Sequence, residues 1–250
     1  MNDKHQSDST FPETADIETS SDSYALRFSG KTGKWMLNIQ ERITLNFIRN
    51  EQKLTVLDVG GGHGQIALPL CESGHNVTVL GSSATCSNRI SSVINSKKCR
   101  FITGNVIELP FPDKSFDLVT CFRLLTHCRQ WKKLISELCR TARKFVILDY
   151  PTSQSVNRIA PAFFGVKKKI EGDTRHWSLF KHSEVESEFS IHKFKKTGMK
   201  KQFFFPMALH RAMKCSQISI LMEAMARGTG LTSIWGSPVI IKMERSNPDE

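Results

Sequence analysis

Leu54-Thr55-Val56-Leu57-Asp58-Val59-Gly60-Gly61-Gly62-His63-Gly64-Gln65-Ile66-Ala67-Leu68 is the stretch that decides the fold. Leu54 to Val59 is an apolar, partly β-branched run, the pattern of a strand buried on both faces. Four glycines then break the run, and Gln65 to Leu68 opens a helical pattern. A strand, a glycine-rich turn and a helix N-terminus bring backbone N–H groups close to a ligand, with no side chains in the way. Asp58, at the strand end, is a carboxylate placed to order the turn or to meet a cation. Such a loop suits a nucleotide-like cofactor.

Glycine spacing alone leaves the cofactor open. Read from Gly60, the dinucleotide pattern G-x-G-x-x-G fails at Gln65; read from Gly62, it is met only in relaxed form, with Ala67 last. A nicotinamide dinucleotide site also calls for Asp or Glu after the second strand. That strand, His75 to Leu80, runs instead into Gly81-Ser82-Ser83.

The next segments narrow the choice. Phe101-Ile102-Thr103-Gly104-Asn105-Val106 is followed by Leu109-Pro110-Phe111-Pro112-Asp113 and by Phe116-Asp117-Leu118-Val119-Thr120-Cys121. With the glycine loop, this ordered set resembles the class I S-adenosylmethionine-dependent methyltransferases. The nearest branch is the methyltransferase type 11 group, which includes the quinone methyltransferases. The resemblance covers Leu54 to Tyr150 well and the flanks loosely. It implies an α/β fold: a Rossmann-like open sheet, mostly parallel with a late antiparallel strand, in three α/β/α layers with a small cap insertion. It also implies S-adenosyl-L-methionine as cofactor. Asp58, Gly60, Gly61, Gly62 and Gly64 would form the cofactor loop, Gly81 and Ser82 would lie at the ribose, and Asn105 and Val106 at the adenine. Phe122 would follow the fourth strand at the same site.

Two positions depart from the family pattern. Gly81 stands where an acid bridges the ribose hydroxyls, and Asn105 stands where an acid meets the adenine amine. Asn105 still offers a carbonyl acceptor; read without a ligand, Gly104-Asn105 is a turn. Tyr24-Ala25-Leu26-Arg27-Phe28-Ser29-Gly30 resembles a segment that closes over the cofactor carboxylate, which would place Arg27 there as a charge-assisted donor. The other reading of Arg27 is an exposed linker residue. Leu125-Thr126-His127 resembles the Leu-His-His on the acceptor side, which makes His127 the candidate catalytic base for a hydroxyl acceptor. The competing reading is a structural histidine at the start of the next helix.

Size and composition set outer limits. A chain of 250 residues buries a sizeable core but is too short for two large domains. Residues 1–22 are rich in Ser, Thr, Asp and Glu and are expected to be disordered. Residues 23–250 are expected to form one methyltransferase domain, with the cap at about 151–180. No run reaches transmembrane length, and the polar N-terminus has no apolar signal core. The seven cysteines are odd in number and hold no C-x-x-C pair, which argues against a disulfide frame or a metal site and for a cytoplasmic protein.

Charge is uneven. The chain carries a formal net charge of +11, yet six of its 24 acidic residues fall within the first 25 positions. Phe189 to Met222 holds no acid at all, while Lys193, Lys195, Lys196, Lys200, Lys201, Arg211 and Lys214 cluster there. Such a stretch suits a solvated basic face, an anionic membrane surface, an anionic substrate or RNA.

Periodicity predicts helices over 34–49, 65–73, 88–96, 130–142 and 184–196, alternating with strands near 100–103, 118–122 and 144–149. Late strands are expected over 202–205 and 238–243. The functional expectation is methyl transfer to the oxygen or carbon of a small, apolar or aromatic acceptor. Two alternatives stand beside it. One is a nucleic-acid methyltransferase, favoured by charge but opposed by Cys121-Phe122-Arg123, which lacks the Asn/Asp-Pro-Pro-Tyr/Phe set that receives a flipped base. The other is a cofactor-binding protein without catalysis on the same scaffold.

Overall fold

The computed structural model describes residues 11–96, 98–156 and 176–246. Seven strands form one sheet: β1 (Thr55–Val59), β2 (Asn76–Gly81), β3 (Cys99–Thr103), β4 (Phe116–Cys121), β5 (Ala142–Tyr150), β6 (Phe194–Phe203) and β7 (Ser237–Arg245). Their spatial order is β3-β2-β1-β4-β5-β7-β6. The first five pair in parallel, and β7 runs antiparallel to both β5 and β6. The expected mostly parallel sheet with a late antiparallel strand is therefore present.

Strand period 2 splits the core into two layers. Leu57, Val59, Val119, Cys121, Val146 and Leu148 face one side, packing with Leu134, Ile135 and Leu138 of α6 (Trp131–Thr141) and Val185 and Phe189 of α7 (His182–Ile191). Val56, Val77, Val79, Leu118 and Ile147 face the other side. There they meet Ile43 and Phe47 of α3 (Gly30–Phe47), Ala67 and Leu70 of α4 (Ala67–Glu72) and Val93 of α5 (Ser91–Asn95). Pro69 falls in the first turn of α4, where the lost N–H has no intrahelical partner.

Three local expectations need correction. Residues 11–22 are ordered rather than disordered, forming α1 (Ala15–Thr19) and leading into α2 (Asp22–Leu26). The segment has little apolar surface to bury, but its carboxylates find buried donors: Glu13 Oε1 accepts from the Gln130 N–H at 2.9 Å, and Asp16 accepts from Ser82. The helix expected over 184–196 stops at Ile191, because Lys193 adopts the left-handed conformation (φ 61°) that ends helices. The basic run after it is β6, a lysine-studded edge strand, and lysines on an edge discourage pairing with other chains. Lastly, the late strand expected over 202–205 is the end of a longer one, β6, which starts at Phe194; it pairs with β7 and is joined to it by three helices: α8 (Met207–Met213), α9 (Ser216–Gly228) and α10 (Leu231–Trp235). Most of the expected cap, including Phe163, Phe164 and Lys167 to Lys169, lies outside the described residues.

Candidate active site

The sheet order reverses between β1 and β4, and open α/β sheets bind ligands beyond the carboxyl ends of the strands at such a switch point. The glycine loop lies there. Gly60 (φ 74°) and Gly64 (φ 79°) are both left-handed and bracket a 3-10 turn at Gly61–His63. The Gly60 N–H donates to Leu80 O at 2.8 Å, which fastens the loop to β2.

Asp58 organises the loop from below. It is buried, and its Oδ1 accepts from Thr120 Oγ1 at 2.8 Å. A Cβ on Gly61 would lie 2.0 Å from Asp58 Oδ2, so only glycine lets the turn cross the carboxylate. Burial raises the Asp58 carboxyl to about 7, with hydrogen bonds from Thr120 and the Ala67 backbone opposing the rise.

Gly62 is required for another reason. A Cβ there would lie 2.2 Å from Cys86 O and 2.4 Å from Ser20 Oγ. The space beside Gly62 is filled by the chain itself.

Arg123 is the residue that sequence reasoning missed. It follows β4 in the left-handed conformation (φ 59°). Its backbone N–H donates to Asp149 Oδ1 at 2.6 Å, and Nη2 donates to Gln40 Oε1 at 3.0 Å. Gln40 Nε2 in turn donates to Asp149 Oδ2 at 3.2 Å. The guanidinium carbon stands 3.8 Å from the Phe28 ring centroid, a close cation–π contact. Burial raises the Asp149 carboxyl to about 6, against the stabilising bond and charge of Arg123. No short motif announces this arrangement, because Gln40, Arg123 and Asp149 are far apart in sequence.

A small cavity remains at the loop, lined by Thr19, Asp58, Gly60, Gly61, His63, Gln65, Ile66, Phe122 and Arg123. Several buried polar atoms around it lack hydrogen-bond partners among the described residues: Arg123 Nη1, both His63 ring nitrogens and Gln65 Oε1. Burial, followed by the charges of Arg123 and Arg89, lowers the His63 imidazole to about 3, so it is neutral at physiological pH. Unsatisfied buried polar atoms converging on one cavity are what a polar ligand would complete.

The other expected residues divide. Phe122 lines the cavity. Arg27 does not: its Nη2 lies 3.8 Å from Glu18, and its guanidinium carbon stands 5.0 Å from the Tyr24 ring centroid. Gly81 has no room for a longer side chain, since a Cβ would lie 2.7 Å from Cys86 Cβ and 3.1 Å from Phe101. The carboxylate missing from that strand end comes instead from α1: Asp16 accepts from Ser82 N and Ser82 Oγ, each at 2.6 Å. Burial raises the Asp16 carboxyl, with the Ser82 bonds opposing the rise.

Asn105 Oδ1 accepts from the Ile107 N–H at 3.1 Å, so its carbonyl serves a local turn, and Val106 is fully buried. His127 is buried with its Nδ1 2.9 Å from His176 O. A carbonyl only accepts, so Nδ1 carries a proton. His127 thereby ties the turn after β4 to the end of the cap, and it does not line the loop cavity. Among the described residues, no cluster of three or more His, Cys, Asp or Glu is placed to hold a metal, and no helix is long and apolar enough to cross a membrane.

Known proteins resemble the chain over this region and over the fold. Residues 57–147, which run from within β1 into β5, match the model of the methyltransferase domain family. The chain is 33% identical over 104 residues to a ubiquinone biosynthesis O-methyltransferase of Rickettsia akari (strain Hartford), a match covering 41% of each chain. It is 30% identical over 107 residues to a demethylmenaquinone methyltransferase of Deinococcus radiodurans, covering 40% of this chain and 44% of that one. The matched region thus spans about two fifths of the length of these relatives.

Solved structures extend the likeness over the whole fold. The magnesium protoporphyrin IX methyltransferase of Synechocystis PCC 6803, crystallised with SAH, superposes with a TM-score of 0.63 at 14% identity, covering 92% of this chain and 98% of that one. A [4+2]-cyclase, SpnF, superposes with a TM-score of 0.57 at 15% identity, covering 82% and 80%. One architecture carries both names, so the fold alone does not fix the reaction.

Proposed function

We propose that this protein is an S-adenosyl-L-methionine-dependent methyltransferase acting on the oxygen or carbon of a small apolar or aromatic acceptor. The observation that carries the reading is the cavity at the glycine loop, where a buried carboxylate, Asp58, and the unpartnered Nη1 of Arg123 line one space. That pair suits the two charged groups of an amino-acid end, with Asp58 toward the ammonium and Arg123 toward the carboxylate. The left-handed loop and the orphaned donors fit such a ligand. Relatives named for ubiquinone and demethylmenaquinone chemistry support the acceptor class.

The cofactor supplies a methyl group on a sulfonium, which reacts by in-line displacement. The chain's own work is to hold, aim and exclude water. Asp58, the Gly60–Gly61 backbone and Arg123 hold the amino-acid end. Ser82, Asn105 and Val106 serve the nucleoside end, and Phe122 walls the site. His127 stands outside the loop cavity, with Nδ1 on His176 O; as the candidate base it would take the proton of a hydroxyl acceptor at Nε2. The nucleoside end requires rearrangement of the chain. The cleft at the loop is too small for a whole cofactor, and Asp16 occupies the Ser82 N–H and hydroxyl. Residues 13–20 therefore shift when the whole cofactor binds.

The same filled cleft favours a second reading, a cofactor-binding protein without turnover. Calorimetry with S-adenosylhomocysteine, followed by methyl-labelled cofactor with quinol and other phenolic acceptors, tests both. Binding with labelled product supports the enzyme, and binding without product from any acceptor favours the second reading. No binding by a folded protein removes both.

A further inference from the structure

The outer face of α9 is unusual for a surface helix. Ser219, Glu223 and Ala226 point inward and are buried, while Ile218, Ile220, Leu221 and Met225 point outward. Leu221 and Met225 are 62% and 65% exposed, and Ile234 and Trp235 of α10 continue the exposed apolar surface at 56% and 46%. Gln217 and Ala224 are the other exposed residues of this face between Ser216 and Met225, so the stripe carries no charge there. Isolated exposed apolar side chains are ordinary on a protein surface; a contiguous set marks a contact surface.

Charge indicates the kind of contact. Between Phe189 and Met243 the sequence holds one acid, Glu223. It is turned inward, accepting from the N–H groups of Phe204 and Phe205 and from His210 Nε2, each at 2.9 Å. The outer surface of this quarter of the chain therefore shows no carboxylate. Lys214 and Arg227 are exposed near the two ends of α9. An uncharged apolar stripe flanked by cations, with tryptophan at its rim and no acid, is the composition of a helix that lies in a lipid interface. Bare nucleic-acid phosphate gains nothing from exposed isoleucine and leucine, which speaks against RNA as the occupant.

Position adds a reason. Because β6 and β5 are both antiparallel to β7, β6 runs the same way as the parallel strands. Its end at Phe203, and α8 to α10 beyond it, therefore begin at the carboxyl end of the sheet, where the glycine loop lies. We propose that α9 and α10 form a docking surface for an anionic lipid bilayer, with the stripe in the interface and the flanking cations at the headgroups. This deepens the proposed function, since it presents the candidate site to a lipid-dissolved acceptor.

The test is co-sedimentation of the full chain with phosphatidylcholine vesicles and with vesicles containing a minority of phosphatidylglycerol, at low and moderate salt and without cofactor. The expected result is pelleting with the anionic vesicles, weakened by salt. Leu221→Ser with Met225→Ser should lower the partition about tenfold, and Lys214→Glu several-fold, with melting temperatures unchanged. Wild-type protein left in the supernatant with anionic vesicles at low salt overturns the proposal. So does equal pelleting of the double variant. A concentration-dependent dimer that the double variant loses would assign the stripe to a second copy, and that outcome also overturns it. Cofactor affinity is measured separately without vesicles, so failure here leaves the methyltransferase reading standing.

Discussion

The two sides of the sheet meet the ligand-facing end in opposite ways. On the β1–β2 side, the chain folds back onto itself: α1 places Asp16 on Ser82, Ser20 lies against Gly62, and the backbone of Cys86 leaves no room for a side chain at the loop. Polar groups are buried and almost every gap is filled. On the β7–β6 side, α9 and α10 leave isoleucine, leucine and tryptophan exposed, and their one acid is turned inward. The first side carries its strain internally, in buried charge. The second leaves apolar surface for something outside the chain to cover. A binding site and a docking surface differ in this respect, and the difference predicts how each responds to substitution.

The largest expected effect is the pH dependence of the filled side. The Asp58 carboxyl sits at about 7 in the fold against its ordinary 3.8. The folded state therefore holds this proton more tightly than the unfolded chain. Stability is fully present below the ordinary value and is lost as pH rises toward 7, by on the order of 4 kcal/mol in total. Asp149, at about 6, adds loss in the same direction. Asp58→Asn should melt above wild type near neutral pH and show no gain in acid, while weakening S-adenosylhomocysteine binding. A wild-type melting temperature that stays flat from acid to neutral pH would show that Asp58 is not a buried charge. The exposed α9–α10 side contributes nothing to this slope.

Glycine substitutions should separate the two sides by sign. Gly62→Ala drives a Cβ to 2.2 Å from a backbone carbonyl and should cost about 3 kcal/mol in ligand-free unfolding. Gly228→Ala, at the end of α9, meets nothing within 4 Å and should stabilise by about 0.5 kcal/mol through lower unfolded-state entropy. Denaturant titration of both variants gives the answer; a neutral Gly62→Ala would show that the loop is looser than its packing.

Much of this fold was readable from the residues, and the reason is periodicity. β1, β2, β4 and β5 have apolar runs that only buried strands use, and the glycines after Val59 mark the turn without help from any other part of the chain. What escaped reading depends on partners distant in sequence. The order of α1 rests on carboxylate bonds to Ser82 and Gln130, which composition does not reveal. Arg123 looks like one more residue after a strand until Gln40 and Asp149 close around it. The end of α7 was missed because a lysine, not a glycine, takes the left-handed position. The basic stretch from Phe189 shows no break in the sequence, yet most of its lysines lie on an edge strand and the apolar stripe follows them.

Arg123 and Arg27 compete for the anionic end of the ligand, and the geometry favours Arg123. Arg123→Met should weaken S-adenosylhomocysteine by about 2 kcal/mol, the scale of one charge-assisted bond. Methylthioadenosine lacks the amino-acid end and should bind the variant as it binds wild type. Arg27→Met should change neither ligand much. If both ligands weaken together in Arg123→Met, the guanidinium supports the fold of the site rather than recognising a carboxylate.

The smallest effect tests the filled cleft most directly. Asp16 is held by two short hydrogen bonds to Ser82, and both donors belong to the residue expected at the ribose. Two roles are open to a carboxylate there. As a competitor, it must leave before the nucleoside arrives, and its bonds to Ser82 count against ligand affinity. As a stand-in for the acid absent at Gly81, it would swing onto the ribose hydroxyls and add to affinity. Burial opposes its charge, which weakens its hold on Ser82 and makes the competitor role the expected one. Asp16→Ala should therefore tighten S-adenosylhomocysteine by about 1 kcal/mol, roughly fivefold, with faster association. Ser82→Ala removes only the hydroxyl donor, leaves the N–H in place, and should release α1 partially. If Asp16→Ala binds more weakly while Ser82→Ala is unchanged, the carboxylate is a ribose ligand and α1 is a working wall of the site. In that case the contrast between a self-filled side and an open one narrows, because both would be built to meet something outside the chain.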